Sequence, residues 1–269
     1  MKTVPIYQID VFAERAFAGN PAAVCPLEAW LPEATMQSIA AENNLAETAY
    51  FVKDETGEAD FLLRWFTPMV EIELCGHATL ASGYVLLEQR GFAGNKVRFR
   101  TLKSGVLTVE RKDGALWLEL PARMPAPMKL VPGEVPRGLR AEPLAVMETG
   151  NKYLALFEEA QDIIDLKPDF AKLSRMTGRG IVVSAPGRKP GEDFVSRFFA
   201  PALGVDEDPA TGSAHCLLVP YWAQRLGKTE LSAQQLSARG AHFSCKLLGD
   251  RVAMSGGVFP YLKGEITVP

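Results

Sequence analysis

The chain has 269 residues, of which 47% are apolar and 23% charged, and its formal net charge at neutral pH is −3. This is the balance of an ordinary globular protein, and the length suits two domains. Such a charge provides no basic surface for nucleic acid or an anionic membrane. The sequence has no apolar run near the roughly 20 residues of a membrane helix, and its first ten residues lack a signal-peptide core. We therefore expect a cytoplasmic protein with neither nucleic acid nor membrane as a partner.

The cysteines and histidines offer no metal-binding or disulfide pattern. The four cysteines are widely spaced and contain no CxxC pair, which argues against a structural zinc site or a disulfide framework and fits a reducing compartment. The three histidines form neither HxH nor HExxH. We expect no metal.

The first half of the chain mixes short strands with helices. Residues 32–44 have helical spacing, with Met36, Ile39 and Ala40 on one side. The apolar segment 77–90 predicts a helix packed almost all round, ending near Gly91. Runs rich in β-branched and aromatic residues predict strands at 4–12, 48–52, 60–66, 96–101, 105–111 and 115–121.

The second half repeats this mixture after a proline-dense segment at 122–138, which has the composition of a linker. Here we predict a helix from Pro209 to about Arg225, and strands at 144–150, 152–157, 180–185 and 194–200. There is no GxGxxG after the first strand, so a Rossmann cofactor domain is not expected. We expect an α/β (α+β) protein of two domains, 1–122, which the C-terminal strand could complete, and 123–269.

Two segments indicate an internal duplication. FLLRWFTP at 61–68 and FVSRFFAP at 194–201 share an arginine, a phenylalanine and a proline at a constant offset of 133 residues. The alternative is chance similarity between strands. Carried forward, the offset puts Cys75 opposite Asp208, so each half would have a helix N-terminus beside a titratable side chain. Two such ends facing each other across a domain cleft would hold a carboxylate substrate between proton-transfer groups.

The segment EDPATGSAH at 207–215 reads as one of these helix starts. Asp208 would be the N-cap and Pro209 the first helical residue, while Gly212 and Ser213 would leave backbone N–H groups open to an anion. Asp208 is a candidate catalytic carboxylate, and the alternative is that it only caps the helix. His215 follows one turn later and is interpreted mainly as a packed side chain.

The segment CGHAT reads as the other helix start. A neutral imidazole at His77 could donate or accept a proton, with the helix dipole lowering its pKa, or could only hydrogen-bond locally. Cys75 could be an acid–base thiol or a small buried residue. A Ser213–His77–Asp208 hydrolase is disfavoured because the chain has no GxSxG elbow. His242, in a predicted strand, is interpreted as structural.

Two further candidates lie between polar turns and apolar strands. Glu47 could have a raised pKa and act as acid and base in turn, although most glutamates in this setting are simply exposed. Asn20 follows a glycine and could contact a ligand, or could form an Asx-turn before Pro21.

Four motifs together resemble the PhzF-like family of phenazine biosynthesis proteins: FAGNPAAV, NNLAETAYFV, FTP followed by CGHATLA, and EDPATGSA. The resemblance covers nearly the whole chain. It implies a fold similar to diaminopimelate epimerase, with two pseudo-symmetric domains, each a curved sheet around a central helix, and an active site in the cleft. It also implies a homodimer that needs no cofactor or metal.

The resemblance also implies roles for individual residues. Glu47 is expected to be the acid–base group, with His77 and Asp208 as its catalytic partners. The positions that would hold polar groups of the substrate are Gly76, Gly212 and Ser213. The founding member moves a proton within a dihydro-hydroxyanthranilate ring, but Ala46 and Cys75 depart from its pattern, which puts that substrate in doubt.

We therefore predict a cofactor-independent isomerase that moves a proton within a small carboxylate or cyclic amino acid. One alternative is an amino-acid racemase or epimerase that uses Cys75 and Asp208. The other is a binding protein for small carboxylates that catalyses nothing.

Overall fold

The computed structural model of the protein describes residues 1–150, 152–176 and 180–268. The chain divides into two compact units. Unit 1 comprises Met1–Leu120 and the chain from Ala253 onward, and unit 2 comprises Pro121–Val252. Both combine strands with a few helices.

The strands, in chain order, are β1 Lys2–Val11, β2 Asn20–Pro26, β3 Glu47–Lys53, β4 Phe61–Phe66, β5 Glu71–Ile72, β6 Lys96–Thr101, β7 Val106–Lys112, β8 Ala115–Pro121, β9 Ala126–Pro127, β10 Ala145–Thr149, β11 Lys152–Leu156, β12 Gly180–Pro186, β13 Phe194–Ala200, β14 Val205–Glu207, β15 Glu230–Gln235, β16 Ala241–Leu248, β17 Arg251–Ser255 and β18 Val258–Val268. The helices are α1 Glu33–Asn43, α2 Gly76–Tyr84, α3 Glu134–Leu139, α4 Ala160–Asp165, α5 Phe170–Leu173 and α6 Gly212–Leu226. A π-helical turn, Val85–Gln89, extends α2, and a 3-10 turn, Pro201–Leu203, precedes β14.

Unit 1 is a mixed sheet around one buried helix. β1 pairs antiparallel with β18 and β2, β2 runs parallel to β3, and β3 pairs antiparallel with β4. β4 is parallel to β6, and β6, β7 and β8 follow as antiparallel neighbours. Helix α2 packs against β1, β2, β3 and β7, and its residues 76–83 are all buried. Gly83 permits this packing, because a Cβ there would lie 2.5 Å from the Val109 side chain.

Unit 2 repeats the same order of pairings. β10 pairs antiparallel with β9 and β11, β11 is parallel to β12, and β12 is antiparallel to β13. β13 is parallel to β15, which pairs antiparallel with β16. Helix α6 packs against β15 and β16 and is buried along most of its length. The two units thus share one topology, as the duplicated sequence segments predict.

The duplication also appears in one matched ion pair. Arg64 on β4 binds Glu71 through two hydrogen bonds of 2.7 Å, and Arg197 on β13 binds Glu207 at 2.8 and 2.9 Å. Each guanidinium also lies over the phenylalanine two residues later, at 5.2 Å in unit 1 and 4.8 Å in unit 2. The matched strands therefore keep both the same charge pair and the same aromatic contact.

The offset between the halves does not stay at 133 residues. The 3-10 turn and the three-residue strand β14 lengthen the segment before α6, so the two helices begin 136 residues apart, at Gly76 and Gly212. The prediction that Cys75 lies opposite Asp208 is therefore wrong. Cys75 corresponds to Thr211, because both are the N-cap residues of the central helices.

The predicted N-cap at Asp208 is wrong for a related reason. Residues 208–211 do not enter the helix, because the backbone N–H of Asp208 donates to the Phe198 carbonyl (3.0 Å) and its own carbonyl accepts from Gln235. These bonds hold Asp208 to the neighbouring strands. The helix begins only at Gly212.

Most other predicted elements are confirmed within a few residues. Met36, Ile39 and Ala40 form the buried side of α1, and the apolar segment from His77 forms α2 and its π-helical turn, as predicted. Strand β2 was not predicted, because its Pro21 and small alanines lack a β-branched signal. The proline-dense segment contains the short elements β9 and α3.

The four cysteines are free and buried. Among the residues described, no helix has the length and apolar character needed to cross a membrane.

Candidate active site

Glu47 and His77 meet in the interior of unit 1. Glu47 is the first residue of β3 and lies in register with Ala22 of β2, while His77 is the second residue of α2. The carboxylate Oε2 of Glu47 is 3.1 Å from Nε2 of His77. The side chain of His77 is 4% exposed and that of Glu47 is 15% exposed, so the pair is largely shielded from water.

The other ring nitrogen of His77 has two polar neighbours. Nδ1 lies 3.3 Å from the side-chain amide of Asn20 and 3.5 Å from Sγ of Cys75. Asn20 is fully buried at the start of β2 and follows Gly19, which has φ +64°. A Cβ at Gly19 would lie 2.2 Å from the Val11 carbonyl, so only glycine allows this turn to deliver Asn20 to the ring.

Burial and the neighbouring charged groups shift the pKa of His77 in opposite directions. Burial lowers the pKa of His77, but Cys75 and Glu47 raise it, and the net pKa is well above the usual 6.5. Burial, aided by Glu47, raises the pKa of the Cys75 thiol to about 11. Because Cys75 is then a neutral thiol at neutral pH, the Glu47 carboxylate is the charge that favours the imidazolium form of His77.

Glu47 and His77 keep bonding capacity for a third group. Within the described ranges, Glu47 Oε2 and His77 Nε2 are buried atoms with no hydrogen-bond partner, although they are only 3.1 Å apart. The approach is therefore a close charge contact whose geometry is not that of a hydrogen bond. Buried polar atoms are seldom left this way, and a water or small molecule beside this pair could hydrogen-bond to both.

Glu47, Cys75 and His77 also form a group that could be considered as a metal site, since one ligand atom from each lies within 4.8 Å of the others. The contacts do not favour chelation. Cys75 approaches Nδ1 of the imidazole and Glu47 approaches Nε2, whereas a histidine offers a metal one nitrogen at a time. The order thiol, imidazole, carboxylate is instead that of a proton-transfer group.

The N-terminus of the helix that carries His77 has no side-chain cap in the described structure. Cys75 is the N-cap in an extended conformation, and its side chain makes no capping hydrogen bond within the described structure. The first N–H groups of a helix have no carbonyl partner of their own. The amides of Gly76 and His77 therefore stand where a substrate carboxylate could accept hydrogen bonds.

Asp208 occupies a different setting in unit 2. Its carboxylate accepts a hydrogen bond from the Thr211 hydroxyl, and its carbonyl oxygen accepts one of 2.6 Å from the side-chain amide of Gln235. Thr211 is the N-cap of α6, again with no side-chain cap in the described structure. Gly212 and Ser213 are the first two residues of the helix.

The other two histidines are in unit 2. His215 is completely buried, stacks on Phe243 at a centroid distance of 3.7 Å and donates through Nδ1 to the Thr211 carbonyl (2.9 Å). Burial lowers its pKa to about 4, so it is neutral in the folded protein near pH 7. His242 lies on β16, where Nε2 is 3.1 Å from the Ser232 hydroxyl.

Sequence reasoning missed Thr211 and Gln235. Thr211 lies inside the EDPATGSAH motif, but the composition of that motif predicts Asp208 as the N-cap and gives no signal for Thr211. Gln235 is the last residue of β15 and has no local signal, because its partners lie more than 20 residues away in the chain. Only the pairing of β15 with β13 brings it to the turn before α6.

Comparison with known proteins agrees with these observations. Residues 9–244 match the family model of phenazine biosynthesis-like proteins. A protein of Pseudomonas aeruginosa, named as an uncharacterized isomerase, is 48% identical over 260 residues that cover 97% of each chain. The crystal structure of a PhzF-family protein from Enterococcus faecalis has a TM-score of 0.90 and 41% identity, covering 99% of this chain and 100% of the other.

A more distant likeness concerns the fold alone. A hydroxyproline epimerase of Agrobacterium vitis has a TM-score of 0.65 with 11% identity over 98% of this chain and 92% of its own. Together these structures confirm the predicted α+β fold class and its likeness to the fold of an epimerase.

Proposed function

This chain belongs to the family of phenazine biosynthesis-like proteins, and on that premise we propose that it moves a proton within a small carboxylate or cyclic amino acid by acid–base catalysis, without a cofactor. It is an isomerase, in common with its curated relatives. In this proposal Glu47 is the catalytic base. The observation that supports this role is that Glu47 Oε2 lies 3.1 Å from His77 Nε2 without the geometry of a hydrogen bond.

Glu47 has the chemistry that a carbon acid requires. Its carboxylate would take the proton from one carbon of the substrate and return it at another, so that the carboxyl group ends each cycle unchanged. Burial of the carboxylate and imidazole limits the water around the reacting carbon, while the 15% exposure of the Glu47 side chain leaves its carboxyl proton able to exchange with solvent during the reaction.

His77 would act on the charge that develops during this transfer. Removing a proton from carbon leaves negative charge on the substrate, and an imidazolium held beside it would stabilise that charge. The raised pKa of His77 favours the imidazolium form. The backbone N–H groups of Gly76 and His77 would bind the substrate carboxylate at the start of α2, and Asn20 would hold the imidazole ring in place.

The roles of Asp208, Gly212 and Ser213 are proposed on the family resemblance together with their position at the start of α6. Asp208 would assist the proton transfer or bind a substrate ammonium group. The amides of Gly212 and Ser213 would bind polar groups of the substrate. A homodimer in the cytoplasm is proposed on the same resemblance.

The racemase alternative has less support from the site. Two-base racemisation with Cys75 needs an accessible thiolate. Cys75 is 5% exposed and its pKa is raised to about 11, mainly by burial. Glu47, with an oxygen atom that lacks a hydrogen-bond partner in the described structure, is the better base at neutral pH.

The test is solvent deuterium exchange. The protein is incubated in D2O with a panel of small carboxylates and cyclic amino acids, and deuterium at carbon is followed by NMR. We expect one class of compound to exchange, and we expect Glu47→Gln to slow exchange at least about a hundredfold. Glu42→Gln, on the exposed side of α1, is the matched control and should exchange like the parent.

Two outcomes would contradict the proposal. Equal exchange by Glu47→Gln and the parent would show that Glu47 is not the base. Thermal stabilisation by a carboxylate with no exchange at any pH would instead support the non-catalytic binding protein.

A further inference from the structure

Gln235 is a buried amide whose hydrogen bonds all converge on the turn before α6. Its side chain is 0% exposed at the end of β15. Its oxygen Oε1 accepts from the backbone N–H of Thr211 at 2.8 Å. Its nitrogen Nε2 donates to the Asp208 carbonyl at 2.6 Å and to the Thr211 hydroxyl at 3.1 Å.

The orientation of this amide is determined by two backbone groups. A backbone N–H can only donate and a backbone carbonyl can only accept. The N–H of Thr211 therefore requires the oxygen of Gln235, and the carbonyl of Asp208 requires its nitrogen. Turning the amide by 180° would break both bonds, so the side chain has a single arrangement.

The same logic determines the direction of the Thr211 hydroxyl. An amide NH2 group can only donate, so Oγ1 must accept from Gln235. An ionised carboxylate can only accept, so the hydroxyl hydrogen must point to Asp208. The result is a one-way chain from the Gln235 amide through the Thr211 hydroxyl to the Asp208 carboxylate. Successive bonds of this kind strengthen one another.

We propose that Gln235 and Thr211 are positioning residues that hold the Asp208 carboxylate in its ionised form and in one orientation for the reaction. The chain favours the charged form, because a protonated carboxyl has less to gain from a donor. The hydrogen-bond chain is independent of any substrate. Its importance for catalysis rests on the proposed function, in which Asp208 serves the isomerase.

The surroundings of Asp208 include a cation. Lys152, at the start of β11, is largely buried and interacts electrostatically with Asp208, with Cys216 of α6 and with Arg123. The charge of Lys152 also favours an ionised Asp208. The variants chosen below leave Lys152, Arg123 and Cys216 in place, so a change in titration reports on the chain and not on these charges.

The first experiment follows the Asp208 carboxyl directly. Protein labelled with 13C at the aspartate carboxyl carbons is titrated by NMR, and Asp208→Asn identifies the signal. We expect the midpoint of Asp208 to rise by about one pH unit in Thr211→Val, which is close in shape but lacks the donor, and also in Gln235→Met. Thr211→Ser, which keeps the hydroxyl, should restore the parent midpoint. Gln234→Met, one residue earlier on β15, is the matched control.

The outcomes separate a hydrogen-bond chain from general packing. An unchanged midpoint in Thr211→Val and Gln235→Met would overturn the proposal. The same rise in Thr211→Ser as in Thr211→Val would also overturn it, because the hydroxyl would then be irrelevant. If Gln235→Met fails to fold, the pair Thr211→Val and Thr211→Ser still decides.

The second experiment links the chain to catalysis. With a compound that exchanges deuterium, we expect Thr211→Val and Gln235→Met to lower kcat about tenfold with a smaller change in KM. The acidic limb of the pH–rate profile should move upward with the titration of Asp208. A titration shift without any effect on exchange would leave the chain established and overturn its role in the reaction. A shift with no exchanging compound at all would count against the proposed function alone.

Discussion

At the start of α2 the N-cap is Cys75, and two residues later His77 lies 3.1 Å from Glu47 without a hydrogen bond between them. At the start of α6 the N-cap is Thr211, whose hydroxyl and backbone N–H are both bonded, to Asp208 and Gln235. The two helices hold equivalent places in a duplicated topology. At the start of α2, Glu47 Oε2 and His77 Nε2 have no hydrogen-bond partner in the described structure, whereas at the start of α6 the Asp208 carboxylate accepts a hydrogen bond. The duplication preserved the scaffold and allowed the chemistry to diverge.

The largest effect should come from removing the His77 imidazole. We expect His77→Gln to lower the rate of solvent exchange about a hundredfold, because the charge that stabilises the developing carbanion is lost. Exchange by the parent should fall as the pH rises through the raised pKa of His77, and this fall should be absent from the variant. Glu42→Gln, on the exposed side of α1, is the control for a surface change.

The same titration has a stability counterpart. Because the pKa of His77 is higher in the folded protein than the usual 6.5, its proton stabilises the fold. This contribution is complete below about pH 6.5 and is lost as the pH rises through the folded pKa. The check is an NMR titration of the His77 ring signals. A midpoint near or below 6.5 would show that Glu47 does not hold the imidazolium form.

His215 in unit 2 should behave in the opposite way. Its pKa is lowered to about 4, so the unfolded chain takes up a proton between about pH 6.5 and 4 while the folded protein does not. Stability should therefore decrease as the pH falls through that window, by about 3 kcal/mol from this residue. We expect His215→Phe, which keeps a ring against Phe243, to lose this part of the pH dependence.

Denaturant unfolding at several pH values measures this effect. At pH 7 the variant should be less stable by about 1 kcal/mol, the value of the lost hydrogen bond to the Thr211 carbonyl. An equal slope of stability against pH in parent and variant would contradict the buried, neutral state of His215.

The matched arginines offer a smaller test. Arg197 also donates to the carbonyls of Ile163 and Leu166, whereas Arg64 makes its additional contact with the exposed Glu33. We expect Arg197→Met to reduce the free energy of unfolding by about 2–3 kcal/mol. The reduction in Arg64→Met should be smaller than this by about 1 kcal/mol. Thermal or denaturant unfolding gives the comparison, and an equal loss would mean that the two ion pairs contribute alike despite their different surroundings.

The smallest effect should come from Cys75→Ser. The serine hydroxyl can accept a hydrogen bond from Nδ1–H of the His77 imidazolium, so we expect exchange within about threefold of the parent. A loss of a hundredfold or more would instead favour the racemase alternative, in which the thiol itself carries the proton.

Much of this could be predicted from local sequence. The buried side of α1, the strand that carries Arg64 and its counterpart with Arg197 follow from periodicity and from a repeated motif. The approach of Glu47 to His77 could not be derived from periodicity, since 30 residues separate them and only the sheet and central helix bring them together. The family resemblance alone indicated that both belong to one site.

The errors have a common physical cause. Asp208 and Pro209 have the composition of a helix start, but hydrogen bonds to β13 and Gln235 outweigh that local preference. The shift of the repeat from 133 to 136 residues comes from the short turn and strand before α6. Neither the turn nor the position of Gln235 has a signal in neighbouring residues, because strand pairing decides both.

The pairing of β1 with β18 has a consequence for how the protein is made. Lys2 lies opposite Val268, and the core around Val4 includes Val268 as well. The last strand of the described chain therefore completes both the sheet and the apolar core of unit 1. Residues 121–252 are therefore synthesised, and can fold, before unit 1 is complete. A nascent chain would carry the unfinished apolar core of unit 1 while residues 121–252 are synthesised. Shortening the chain by β18 should affect solubility during expression before it affects any step of catalysis.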